Sequence, residues 1–81
     1  MRYMKRNNWT DGPCFYVSIV DGSKFALMAG PFRIHQEALD QVEPARKIGN
    51  ELDDRAWFYG WGTVKMKNGH KEGKLNEHLN I

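Results

Sequence analysis

Two short runs rich in β-branched and aromatic residues, Cys14 to Val20 and Lys24 to Ala29, are separated only by Asp21-Gly22 and a serine. Side chains of that type fit a pleated, half-buried surface, and so short a polar break leaves the chain one economical arrangement, an antiparallel β-hairpin. A three-residue loop of Val20, Asp21 and Gly22 puts the glycine at the left-handed position. That loop pairs Ile19 with Ser23, Val17 with Phe25 and Phe15 with Leu27, which gathers the large residues on one face. Gly30-Pro31 is expected to end the second strand, because proline brings no ladder donor and biases its predecessor toward extended geometry.

A helix should follow. From His35 the apolar residues Leu39, Val42, Ala45, Ile48 and Leu52 recur at intervals of three or four, one stripe of a helix, with Glu37 in the first turn where it complements the dipole. Pro44 falls inside the stripe and predicts a kink or a break into two helices. Gly49-Asn50 offers an end to the regular part. The segment Ala56 to Met66 then reads as a third strand, with Gly60-Trp61-Gly62 marking a bulge. The sequence therefore predicts an α+β fold, ββαβ. Its three-stranded antiparallel sheet has the order 2-1-3, with the apolar first strand central and one kinked helix on one face.

With 81 residues the chain has room for a single core. The predicted organisation is a flexible basic arm over 1–13, the ββαβ domain over 14–66 and a weakly ordered polar, basic tail over 67–81, in which Lys74 to Leu79 has room for a helical turn or two. Cys14 is the only cysteine, the first residues carry no apolar run, and no apolar stretch approaches the length of a membrane helix. These features predict a cytoplasmic protein that neither forms an internal disulfide nor enters a membrane.

Chemistry-bearing constellations are thin. His35, His70 and His78 do not have the spacing of a metal site, and Cys14 lies on the most apolar strand, where cysteine behaves as a small hydrophobe. Asp53 and Asp54 are adjacent and so point in different directions, and Gly60-Trp61-Gly62 lacks the strand, glycine loop and helix that cradle a phosphate. The reading is a non-enzyme with no metal and no cofactor.

Binding is the better-supported expectation. If the helix covers the face of Phe15, Val17, Phe25, Leu27 and Phe58, the opposite face displays Tyr16, Trp57, Tyr59 and Trp61, and an aromatic cluster of that kind needs a partner. Bases of a single-stranded nucleic acid stacked on those rings, with Arg2, Lys5, Arg6, Lys65 and Lys67 on the phosphates, are one occupant. Burial under the arm or tail, or against a second copy in a homodimer, is the alternative. Glu37, Asp40, Glu43 and Glu51 on the helix make either a surface for a basic partner or a solvated face.

Two resemblances bear on this. Phe25-Ala-Leu-Met-Ala-Gly-Pro-Phe32, followed by Glu37-Ala38-Leu39, resembles one half of the sporulation-related repeat domain that binds peptidoglycan. The other half of that domain has no counterpart in the chain, so the likeness is one of local physics. The longer span from Phe15 to Thr63, with Gly-Pro-Phe, His-Gln-Glu-Ala-Leu and Trp-Phe-Tyr-Gly-Trp-Gly-Thr, is similar to small uncharacterised proteins of phages, prophages and other mobile elements. That resemblance implies an accessory protein acting stoichiometrically on a host or phage macromolecule, protein or nucleic acid, and supplies no catalytic residues.

Overall fold

A computed structural model of the chain describes residues 12–55 and 59–81. Its elements are β1 (Cys14–Asp21), β2 (Lys24–Phe32), α1 (His35–Leu52), β3 (Gly60–Met66) and α2 (Asn76–Leu79). The sheet is three-stranded in the order β2-β1-β3, with both outer strands antiparallel to β1. The α+β architecture and strand order agree with the sequence reading; several local features do not.

The hairpin closes on two residues rather than three. Asp21 pairs with Lys24, Val20 with Phe25 and Ile19 with Ala26, so the loop is Gly22-Ser23, with Gly22 at φ +64°. A glycine at the first position of a two-residue loop suits the twist of the strands it joins. Relative to the expected pairing this is an odd-numbered slip, which moves Phe25 and Leu27 to the sheet face opposite Phe15 and Val17.

Nor does Gly30-Pro31 end β2. The strand continues to Phe32 through two register shifts, after which Ala29 pairs with Val17 and Phe32 with Phe15, on the helix side again. At Gly30, with φ at +128°, a Cβ would lie 2.8 Å from the Tyr16 ring, so only glycine fits that bulge. The bulge expected at Gly60-Trp61-Gly62 is absent, since β3 pairs with β1 in unbroken register from Cys14–Met66 to Val20–Gly60.

Pro44 does not split the helix. α1 runs as one element of 18 residues past Gly49 to Leu52, and the Asp53 amide closes it on the Gly49 carbonyl at 2.9 Å. Its buried stripe is rotated from the expected one. Ala38, Ala45 and Gly49 are buried and Val42 and Ile48 half-buried, whereas Leu39 and Leu52 are 46 % and 59 % exposed. Small residues at the contact let α1 approach the sheet closely, over Val17, Ala29 and Phe32.

The expectation of a weakly ordered tail is also corrected. After β3 the chain returns along the outer edge of β2, where the amides of Gly73, Lys74 and Leu75 donate to the carbonyls of Gly30 (3.2 Å), Leu27 (3.1 Å) and Met28 (2.7 Å). Leu75 then enters the core beside Ala38 and Ala45, contributing about 2 kcal/mol by burial. Leu79 and Ile81 pack against the same cluster. Asn76 is buried, with Oδ1 accepting from the Gly30 amide (3.0 Å) and Nδ2 donating to the Gly30 carbonyl. Residues 67–81 form a strap around one edge of the sheet. No helix among the described residues is long and apolar enough to cross a membrane.

Candidate interaction site

The described aromatic residues proposed as a platform do not share an open face. Tyr16 is fully buried on the side of the sheet away from α1, where the strap covers it and its hydroxyl donates to the Lys71 carbonyl at 2.6 Å. Burial pushes the Tyr16 phenol up to about 12, and the neighbouring Cys14 adds to the effect. Trp61 pairs with Ile19 and therefore lies on the opposite side, half-buried against the helix-side core. Tyr59 precedes β3 and its hydroxyl donates to Asp53 Oδ2 at 3.0 Å, tying the start of the strand to the end of α1. Hydrogen bonds from the Arg55 amide and from Tyr59 hold the Asp53 carboxyl below its ordinary range. Trp57 lies outside the described residues, as do Phe58 and the basic residues Arg2, Lys5 and Arg6. Lys65 and Lys67 are exposed at the far end of β3, Lys65 in the helix-side row opposite Phe15.

The remaining chemical candidates are dispersed. Cys14 is buried, and burial raises its thiol, the reverse of what a nucleophile needs. His35 packs on Phe15, ring centroids 5.3 Å apart, and its Nε2 is 2.9 Å from Thr63 Oγ1. Among the described residues no group of three His, Cys, Asp or Glu side chains can hold a metal ion. Three of the α1 carboxylates have local partners: Glu37 accepts from the Arg33 amide, Asp40 from Gln36 at 2.8 Å, and Glu43 from Arg46 at 3.4 Å.

What sequence reasoning missed is Phe25. The two-residue turn carries it out of the expected core, and it is 53 % exposed beside Val20 at 47 %. Two grooves meet at it. On the helix side one of about 430 Å³ is bordered by Ile19, Asp21, Lys24, Arg55 and Tyr59. On the other side one of about 340 Å³ is bordered by Leu27, Met66, Lys71 and Glu72. Both grooves share Phe25, Ala26 and Lys74, so the Phe25 ring forms the ridge between them. Four cations (Lys24, Arg55, Lys71 and Lys74) face two carboxylates (Asp21 and Glu72) around this apolar ridge. The sequence signal for this placement is Gly22-Ser23, a pairing typical of a two-residue hairpin loop.

The backbone at this corner is also open. Alternation along the ladder directs the N–H and C=O of Phe25 and Leu27 away from β1. The Leu27 carbonyl is taken by Lys74, whereas no backbone group of the described residues bonds to Phe25 on that side. The strap thus closes the β2 edge from Leu27 onward and stops short of the turn. Compared with protein-family models, with curated proteins and with solved structures, the chain matches none of them.

Proposed function

We propose that this protein is a non-catalytic module that binds another protein stoichiometrically, gripping it at the hairpin end of the sheet around Phe25. The observation that carries this reading is the exposed Phe25 ring between two grooves with a cationic surplus at their margins. An apolar anchor with a polar, charged rim is the anatomy of a binding hot spot. The rim selects the partner's chemistry: an acidic segment carrying an aliphatic or aromatic anchor that seats against Phe25. Such a protein acts by occupying its partner rather than by transforming a substrate, as the resemblance to accessory proteins of mobile elements implies.

Random peptides displayed on a surface and selected on the wild-type chain provide the test. Selected sequences are expected to be rich in Asp and Glu around one apolar residue. Phe25→Ala is expected to weaken their binding tenfold or more, on the order of the 2 kcal/mol typical of a hot spot. Because the side chain is half in solvent, thermal stability should change by no more than about 1 kcal/mol. Peptides that bind wild type and Phe25→Ala equally would refute the assignment.

A further inference from the structure

The β2 edge is open over one short stretch beside the turn. Asp21 and Lys24 close the two-residue loop as a hydrogen-bonded pair, so Lys24 and Ala26 bond toward β1 while Phe25 and Leu27 turn their backbone groups outward. The Leu27 carbonyl accepts from Lys74, and among the described residues nothing bonds to the Phe25 N–H, the Phe25 C=O or the Leu27 N–H. Those groups lie in line along one edge, the pattern with which an added strand pairs. The grooves give a second, independent indication. One lies on the helix side of the sheet and the other on the opposite side, and they meet at this edge. An extended chain turns successive side chains to opposite faces of a sheet, so a strand laid here would fill both grooves in alternation. A helix presents its anchors along one stripe and would reach only one of them.

We propose, resting on the binding reading above, that the partner docks as a short extended strand added to β2 at Phe25, with acidic and apolar side chains in alternation. Its main chain pairs with Phe25 and Leu27, and its length is set by the strap, which takes over the edge at the Leu27 carbonyl. The grooves assign the alternation. Lys24 and Arg55 border the helix-side groove and Lys74 borders both, so residues directed to the helix side carry carboxylates. On the far side Phe25, Leu27 and Met66 offer apolar contact, so residues directed there are aliphatic or aromatic. Lys24 and Lys74 have no ion-pair partner among the described residues, which leaves both charges for the incoming strand. The same lysines reject a second copy of the chain. Two β2 edges brought together would set Lys24 and Lys74 of one chain near those of the other, the means by which edge strands resist self-pairing.

A blocked hexapeptide that alternates glutamate and valine, added to the isotope-labelled full chain and followed by amide spectra, tests the strand addition. The Phe25 and Leu27 amides should shift and gain protection from exchange, while those of Lys24 and Ala26, already in the ladder to β1, change little. Methylating alternate peptide nitrogens, first one set and then the other, should weaken binding about tenfold for the set that faces β2 and leave the other set nearly unaffected. The same residues in block order, glutamates before valines, should bind several-fold more weakly. Unmoved Phe25 and Leu27 amides at millimolar peptide, equal tolerance of both methylated sets, or equal binding of the block peptide would each overturn the proposal. So would wild type at twice the 9.4 kDa chain mass with the Phe25 amide protected before any peptide is added, since a second copy would then hold the edge. Displayed peptides that depend on Phe25 yet leave the Leu27 amide unprotected would sink strand addition and keep the binding reading; peptides indifferent to Phe25→Ala would end both.

Discussion

Gly73→Ala is expected to destabilise the protein by about 3 kcal/mol, the upper end of the range for forcing an extra carbon into a packed site. A Cβ at position 73 would overlap the backbone N, Cα and carbonyl carbon of Ala29, which has no flexible end to swing aside. Ala29 is itself fully buried in the core, paired with Val17 on the central strand. The strap must therefore lift away, and with it go the bonds from Gly73, Lys74 and Leu75 and the burial of Leu75. Urea unfolding followed by circular dichroism measures the loss. A change below about 0.5 kcal/mol, the range of an ordinary surface substitution, would mean that residues 67–81 do not lie along β2.

Asn76→Ala should cost a similar amount by a different mechanism. Its amide group bonds both the N–H and the C=O of Gly30 in a buried setting; truncation leaves the Gly30 N–H without a partner, at roughly 1 to 3 kcal/mol, and leaves the Gly30 carbonyl to the Gly73 amide alone. Asn76→Asp keeps the acceptor for the Gly30 amide but sets an anionic oxygen against the Gly30 carbonyl, so it should rescue nothing at neutral pH. Equal stability of Asn76→Ala and wild type in the same unfolding experiment would contradict this role.

The sheet order and the position of α1 were legible because they depend on coarse signals: an apolar central strand, a short turn, and a helical period beginning at His35. The register was misread because gathering large residues on one face was given more weight than turn chemistry. In the fold Gly22-Ser23 sets the pairing near the turn, and the bulges at Met28 and at Gly30-Pro31 return Ala29 and Phe32 to the core. Pro44 misled because proline costs a helix only one donor, and both Pro44 and Asp40, whose carbonyl that donor would have served, stand on the exposed side of α1.

The strap was hidden by composition. Leu75, Leu79 and Ile81 stand among lysines, glutamates and asparagines with no long apolar run. The readable signal was glycine in a polar segment: Gly73 passes against Ala29, and Gly69 passes so close to Pro31 and Cys14 that a Cβ would sit 2.8 Å from the proline ring. The candidate site followed the register. Once Phe25 changes face, the aromatic platform dissolves and an apolar ridge with basic margins takes its place.

Residue-resolved amide hydrogen exchange tests most directly the claim that the strap closes one part of the β2 edge and leaves the other open for a partner. Slow exchange at Gly73, Lys74 and Leu75, comparable to the β1 ladder, together with fast exchange at Phe25, is the predicted pattern. Exchange of the three tail amides at the rate of an unstructured peptide, or protection of Phe25 equal to that of β1, would contradict it.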